Sequence, residues 1–318
     1  MRHHQVVIIG GGPAGAACAK HLIQSGIDCL ILDKQEFPRS KTCAGWITPH
    51  VFQVLEIPPF EYPYPLTTFS YLKLSIKGIP LFRIGRQYAI RRVEFDSWLL
   101  NISGAPVIQH EVKEILETDS GYQIDQKFSA DFLIGAGGTH CPVYHSFFKS
   151  SQPRTGEKIV ALEEEYPAEW HNGICQLWFF ENNLPGYAWY VPKAAGYLNI
   201  GLGGNERALK EKGLMIGDLW DLFLAKLKQK GLVHDREFKP DGYVYYLRSG
   251  QESYRIGNVF LIGDAAGLAT LDMGEGIGPA IQSGILAANA IITRSDYSLA
   301  GIDRYSLLPK YLQWAVSR

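Results

Sequence analysis

Six residues near the start, Gly10-Gly-Gly12-Pro-Ala-Gly15, constrain this chain more than any other stretch. They separate an apolar run, Gln5–Ile9, from a small-residue segment, Pro13–Ser25, that reads as a helix. A second apolar run, Cys29–Asp33, follows, which completes a parallel βαβ unit. In that setting Gly10 permits the tight turn, Gly12 lets backbone approach a pyrophosphate, and Gly15 lets helix and strand close up. The helix start offers unpaired N–H groups and about half a positive charge. Asp33 ends the second strand 18 residues after Gly15, close to the ~20 expected for an acid that binds a ribose hydroxyl. The reading is a Rossmann-type dinucleotide site in which Gly10, Gly12, Pro13, Ala14, Gly15 and Asp33 meet the ligand.

The rest of the composition narrows the class. At 318 residues, 46% hydrophobic and 20% charged, the chain can bury a substantial core. A net charge of −1 gives no electrostatic case for nucleic acid. The cluster Arg83, Arg86, Arg91 and Arg92 reads as a solvated face or a set of local ion pairs. The five cysteines are an odd number, and none stands in a CxxC pair. That argues against a disulfide framework and a zinc site, and for a reducing compartment. The N-terminal residues lack the pattern of a signal peptide, so no leader is expected, and no run is long enough to span a bilayer. A cytoplasmic protein without a metal is expected, with contact to a membrane surface left open.

Along the chain, Thr48-Pro49 signals a short helix, and the prolines at 58, 59, 63 and 65 suggest a boundary. Thr67–Ile76 and Pro80–Ile90 read as a hairpin, Val93–Ile102 as a helix, and Asp131–Ile134 as a buried strand. Residues 158–202 have the pattern of an antiparallel sheet, with Leu198, Ile200 and Leu202 alternating as in a half-buried strand. Asn205–Lys230 reads as one charged amphipathic helix, Val259–Ile262 as a last buried strand, and Gly276–Ile292 as a small-residue helix. The predicted architecture is α/β. A discontinuous Rossmann-type dinucleotide-binding domain (1–65, 91–157, 250–295) is interleaved with a mostly antiparallel β-sheet substrate domain (66–90, 158–249), and a C-terminal helix is expected over 296–318; the segment 259–264 makes the first an FAD-binding domain.

The glycine fingerprint does not separate FAD from a nicotinamide; Val259-Phe-Leu-Ile-Gly263-Asp264 does. A carboxylate at the tip of a buried strand can hold a polyhydroxylated ribityl chain. Here the sequence resembles the p-hydroxybenzoate hydroxylase-like FAD superfamily, in which the corresponding aspartate contacts the flavin ribityl. Arg92-Val-Glu-Phe95-Asp96 resembles that superfamily's R-x-x-[FL]-D segment, whose arginine lies near the cofactor; a surface charge at a helix start is the alternative. Three further stretches resemble the geranylgeranyl reductase family: Phe37-Pro-Arg39-Ser-Lys-Thr-Cys43-Ala44-Gly45, Pro185-Gly-Tyr187-Ala-Trp189-Tyr-Val-Pro192-Lys193, and Gly263-Asp-Ala-Ala-Gly with Gly274-Glu275-Gly276-Ile277. The likeness runs to about residue 292. Family members reduce isolated C=C bonds of polyprenyl chains. The resemblance implies that Lys34, Arg39, Cys43, Ala44, Gly45, Arg92, Gly263, Asp264, Gly274, Gly276 and Ile277 also line the FAD.

It also places Cys43 as the active-site cysteine over the isoalloxazine, where a thiol could donate a proton or gate the flavin; a small buried hydrophobe is the other reading. Tyr187 and Trp189 alternate along one strand and share a face. That face lines the substrate cavity in the family, and core packing against a helix over Leu214–Leu227 is the alternative. Glu275 reads either as part of a flavin-facing helix start or as that helix's dipole partner.

There are departures. Gly137 stands where the superfamily carries an aspartate, which leaves the electron donor, NAD(P)H or a ferredoxin-like protein, undecided. No proline precedes Gly274-Glu275-Gly276, and the chain ends at Arg318, so a smaller or more open pocket is expected. Gly201-Leu-Gly-Gly-Asn-Glu206 has glutamate at its sixth place and is not a second dinucleotide site. The function expected is FAD-dependent C=C reduction of a small apolar substrate, with Cys43, Tyr187 and Trp189 as catalytic-site residues. The rivals are a flavin monooxygenase or halogenase, a halogenase needing a lysine between flavin and substrate to which neither Lys73 nor Lys77 can be assigned, and a redox sensor responding through Cys43.

Overall fold

A computed structural model describes residues 1–170, 172–250 and 253–307. In chain order the elements begin β1 (Arg2–Ile9), α1 (Pro13–Gln24), β2 (Cys29–Asp33), β3 (Trp46–Ile47), α2 (Pro49–Leu55), β4 (Thr67–Ile76), β5 (Ile79–Ala89) and α3 (Arg92–Ser103). Next come β6 (Val107–Gln109), β7 (Ile115–Thr118), β8 (Gly121–Ile124), β9 (Phe128–Gly135), β10 (Lys158–Pro167), β11 (Gln176–Phe179), β12 (Gly186–Lys193) and β13 (Tyr197–Asn205). The described chain closes with α4 (Glu206–Glu211), α5 (Ile216–Gln229), β14 (Asp241–Tyr246), β15 (Arg255–Ile256), β16 (Val259–Leu261) and α6 (Ile277–Thr293). Two compact units result: Met1–Arg39, Phe95–Gly156 and Tyr246–Arg318 form one, Ser40–Glu94 and Glu157–Tyr245 the other.

The first unit carries a sheet of order β15-β16-β9-β1-β2-β6, parallel from β16 to β6, with β8 and β7 added beside β9. Strands this deep are buried on both faces, and β2 is apolar throughout before Asp33. The helices α1 and α6 meet so closely that a Cβ on Gly284 would stand 2.2 Å from the Ala14 carbonyl oxygen. Small residues at 14–19 and 278–290 allow that approach.

The second unit carries the sheet β14-β10-β13-β12-β11-β4-β5-β3. From β10 to β3 its pairs are antiparallel except β11 with β4. One face packs on α5, whose Leu219, Trp220, Phe223 and Leu227 recur at helical spacing and meet Trp178, Ala188, Tyr190, Ile200 and Leu202.

Four expectations need correction. β13 is buried on both faces rather than half-buried, because Asn199, Gly201 and Gly203 present small or hydrogen-bonded side chains opposite Leu198, Ile200 and Leu202. The single helix over 205–230 is two, since Gly213 turns to φ +64° between α4 and α5. Residues 40–65, assigned to the first domain, lie in the second unit, where Trp46 pairs with Ala89 of β5. The predicted C-terminal helix is absent from 296–307, which form turns and bends. There the Leu299 and Ile302 carbonyls accept from the Arg248 guanidinium, and the Ile302 amide donates to Leu299 in a single turn that does not propagate; the remainder of that helix lies outside the described residues.

Candidate active site

In the first unit the glycine turn divides into structural and ligand-facing positions. Gly10 has φ +116°, and a Cβ there would stand 2.3 Å from the Ala136 carbonyl oxygen. A Cβ on Gly15 would stand 2.0 Å from the Gly10 oxygen. Both are fixed by backbone crowding. Gly12, the N-cap of α1, is different: its Cβ would meet only Arg39 Nη2, at 3.5 Å. The N–H groups of the first helical turn after Pro13 therefore open onto a space bounded by a guanidinium, as a pyrophosphate requires.

Arg39 is held there from below. Its guanidinium carbon lies 4.7 Å over the Phe37 ring, and Nη1 is 3.6 Å from Asp96 Oδ2, which is fully buried. Asp33 Oδ2 accepts from Gly11 N at 2.8 Å and Oδ1 from Gln35 N at 2.9 Å, so its carboxylate is oriented beside the glycine turn with lone pairs left for hydroxyl donors. Lys34, next to it, is exposed.

The C-terminal motif converges on the same place. Gly263, at φ +59°, would bring a Cβ to 3.0 Å from Ala14 Cβ and 3.4 Å from Ala280 Cβ, and so lies between the starts of α1 and α6. Asp264 follows in a 3-10 turn, with Oδ1 3.3 Å from where a Cβ of Gly276 would be. Arg154, which the sequence reading missed, clamps this turn by donating to the carbonyls of Ala265 and Thr139, each at 2.7 Å. Gly137, standing where an aspartate was expected, lies against Cys141: a Cβ there would meet Cys141 Cα at 3.2 Å. Glu275 takes the helix-partner role, accepting from Gly278 N at 2.7 Å behind Ile277, the first residue of α6. Burial pushes its carboxyl up to about 7. Gly274 has φ +60°, where a side chain would be strained. Glycine turn, ribose-type acid, guanidinium and strand-tip carboxylate together fit a flavin dinucleotide.

The second unit holds Cys43, Ala44, Gly45, Arg92, Tyr187 and Trp189. Arg92 is buried at the start of α3, and Ala44 is half-buried. Cys43 is the one cysteine of five that is not buried; its Sγ accepts from Gly45 N at 3.4 Å. Gly45 has φ +65°, and its Cβ would meet the Ile90 oxygen at 2.2 Å and Lys193 Nζ at 2.5 Å.

Beneath this loop lies a polar cluster that the sequence reading did not find. The Cys43 amide donates to Glu163 Oε1. Asn199 Nδ2 donates to Glu163 Oε2 at 3.2 Å and to the Cys43 carbonyl at 3.4 Å. Asn199 Oδ1 accepts from Trp189 Nε1 at 2.7 Å. Lys193, 1% exposed, pairs with Glu165, which Arg91 also holds at 2.9 Å; Arg91 reaches Glu94 at 3.1 Å.

Burial pushes the Glu163 carboxyl up to about 7, against the pull of Lys193. Burial acts the same way on Glu165, but Lys193 and Arg91 overcome it and hold this carboxyl below its usual range. With Glu163 protonated, Glu165 and Glu94 balance Lys193 and Arg91. The signal available in the sequence was a lysine ending an apolar strand and glutamates at period two, Glu163 and Glu165, in β10.

Tyr187 and Trp189 share a face, with ring centroids 5.7 Å apart, and Phe179 continues the row 5.2 Å from Tyr187. This is the face opposite α5, where the neighbours Ala188 and Tyr190 pack. Core packing against that helix is therefore excluded as the role of Tyr187 and Trp189. Trp189 lies over Gly201, whose Cβ would stand 2.3 Å from the indole.

Residues 5–97 match the family described as FAD dependent oxidoreductase. The chain is a member of the FAD-dependent oxidoreductase superfamily. An uncharacterised protein of Methanosarcina barkeri is 31% identical over 98% of this oxidoreductase and 80% of its own length, and the two belong to one family. Digeranylgeranylglycerophospholipid reductase 3 of Methanosphaera stadtmanae is 26% identical, with 96% of this chain and 82% of that protein covered. The crystal structure of a geranylgeranyl bacteriochlorophyll reductase-like protein from Thermoplasma acidophilum superposes with a TM-score of 0.79 at 20% identity, covering 94% of this chain and 81% of that one. The interleaved Rossmann-type fold of this FAD-dependent oxidoreductase is thus shared with solved flavoproteins. Among its described residues no group of side chains could hold a metal ion, and no helix is long and apolar enough to cross a membrane.

Proposed function

We propose that this FAD-dependent oxidoreductase reduces C=C bonds of an apolar, isoprenoid-like molecule. The observation that carries the reading is on one face of the second unit's sheet: a buried carboxyl, Glu163, under the Cys43 loop and beside the aromatic row Trp189–Tyr187–Phe179. The similarity to proteins named digeranylgeranylglycerophospholipid reductase and geranylgeranyl bacteriochlorophyll reductase-like supports it.

Saturating a double bond needs a hydride at one carbon and a proton at the next. Flavin, when bound, would supply the hydride, with NAD(P)H or a ferredoxin-like protein as its electron source. The chain supplies the rest. Gly12, Arg39, Asp33 and Asp264 would hold and orient the cofactor. Cys43 Sγ is the proton donor to the alkene, and Glu163, whose carboxyl burial raises to about 7 so that it keeps a proton into the neutral range, is the acid behind the Cys43 loop. Trp189, fixed by Asn199, and Tyr187 exclude water and bind the chain, each buried methylene contributing about 0.8 kcal/mol.

The test is anaerobic turnover. Reduced holoenzyme is mixed with a polyprenyl alcohol in micelles, and saturated product is sought by mass spectrometry. Product without oxygen, lost in Cys43→Ser, supports the reading. Consumption only when oxygen is added would put the protein with the monooxygenases and halogenases; no consumption at all with an intact flavin spectrum would leave a redox sensor. Lys73 and Lys77 are both exposed, and Lys73 points to the sheet face away from Trp189. Neither is suited to the halogenase role.

A further inference from the structure

The β4–β5 hairpin is an apolar surface in the wrong solvent. Ile79 is 64% exposed, Phe82 63% and Ile84 78%, with Leu81 and Ile76 partly so. Single exposed hydrophobics are ordinary, but here Ile76, Ile79 and Leu81 share one face of the ribbon while Phe82 and Ile84, opposite Lys73 and Tyr71, lie on the other, so the hairpin is apolar on both faces and asks for a medium that surrounds it. The patch is also one-sided in charge. Lys73, Lys77, Arg83 and Arg86 are all exposed among these residues, and no Asp or Glu occurs from Tyr62 to Val93. Of the arginines at 83, 86, 91 and 92, Arg91 is held by the carboxylates of Glu165 and Glu94 and Arg92 is buried, so Arg83 and Arg86 are the ones that face solvent. Apolar tips ringed by cations without anions complement an anionic lipid headgroup layer over its acyl chains.

The register links this patch to the interior of the same sheet. Tyr187, Phe179, Ile76 and Ile79 are partners across β12, β11, β4 and β5, and Trp189, Leu177, Leu74 and Leu81 form the adjacent row. Side chains in register share a face, so two unbroken apolar rows cross four strands. The second runs from Trp189 and Leu177, 6% and 4% exposed, out to Leu81, 44% exposed, and the first from half-buried Tyr187 out to Ile79, 64% exposed.

We infer that the β4–β5 hairpin docks on an anionic lipid surface and that these two rows are the track along which an apolar chain leaves the bilayer for Trp189. The docking stands on the hairpin alone; the use of the track rests on the alkene-reductase reading. Lys77 at the turn and Arg83 and Arg86 on β5 would lie among headgroups, with Phe82 and Ile84 below them.

The experiment is sedimentation of the holoenzyme with phosphatidylcholine vesicles, with and without phosphatidylglycerol. The expected result is binding to the anionic vesicles that weakens as salt rises. Phe82→Ser with Ile84→Ser should weaken it about tenfold per side chain. Lys73→Gln with Lys77→Gln and Arg83→Gln should weaken it about fivefold per charge. Both variants should keep wild-type circular dichroism and wild-type turnover of a short, water-soluble isoprenoid alcohol. No vesicle binding, or variants that bind like wild type, would overturn the inference. So would a dimer in light scattering that the Phe82→Ser, Ile84→Ser variant dissolves, because the patch would then face a second copy. Vesicle binding that persists while no alkene is ever reduced would separate a failed functional reading from a failed docking site.

Discussion

Arg39 and Asp96 form an ion pair, Nη1 to Oδ2 at 3.6 Å, in which the carboxylate is wholly buried and the guanidinium lies beside Gly12. The pair converts a mobile side chain into a fixed positive wall at the start of α1. Asp96→Ala leaves that cation without its counter-charge in a site with little water. The expected loss is about 3 kcal/mol of stability, read by urea denaturation of the apoprotein. Arg39→Ala should instead lower FAD affinity about tenfold or more, one charge-assisted phosphate contact being about 1.5–3 kcal/mol, measured by flavin titration.

The glycine turn predicts opposite outcomes at neighbouring positions. Gly12→Ala adds a methyl where only Arg39 Nη2 lies within reach. It should fold, at a cost of about 1 kcal/mol or less, and lose FAD. Gly15→Ala drives a methyl to 2.0 Å from the Gly10 oxygen and should fail to accumulate as folded protein. A Gly12→Ala protein that retains normal flavin content would show that the cofactor does not lie over this helix.

Glu275 titrates with a definite sign. Its folded-state carboxyl is raised to about 7 from an ordinary 4.5. Folding therefore takes up protons between those values. The stabilisation is fully present below about pH 4.5 and is lost as pH rises through 7. Glu275→Gln retains an oxygen for the Gly278 amide but cannot ionise. Relative to wild type it should gain on the order of 3 kcal/mol between pH 4.5 and pH 8.5. Denaturation curves across that range check it, and a relative loss at high pH would refute the assignment.

Glu163 gives the corresponding kinetic prediction. If its proton feeds the site, single-turnover alkene reduction should fall as pH rises through about 7, and Glu163→Gln should be slow with no such limb. A wild-type rate flat from pH 6 to 8.5 would remove Glu163 from the chemistry.

Trp189→Phe strips the donor from Asn199 Oδ1, an atom of a fully buried residue. It should cost about 1–3 kcal/mol of stability. Tyr187→Ala, at the less buried end of the row, should raise KM for long isoprenoids more than for short ones.

Local signals made much of this legible from sequence. The βαβ unit, Asp33, the hairpin and the strand-tip Asp264 are each specified by residues a few positions apart. The shared face of Tyr187 and Trp189 follows from strand periodicity alone. The polar cluster does not: Glu163 meets Cys43 across 120 positions and Asn199 across 36. A run of three glutamates reads as a solvated edge until its partners are known. Glu164, between Glu163 and Glu165, pairs on the other face of β10 with Arg236. The switch between units at Ser40 was equally hidden, because the two-residue β3 is too short to show any period.

Each sheet is closed by strands from distant parts of the chain. β1 waits for β9, which in turn pairs with β16, and β4 finds its outer neighbour only in β11, about a hundred residues on. Neither half can be sealed while the ribosome is still early in translation. The nascent chain must carry open edges, including the greasy β4–β5 ribbon, until late segments emerge. Maturation gated by the final third of the polypeptide, which supplies β14 and β16, is the consequence of this interleaving.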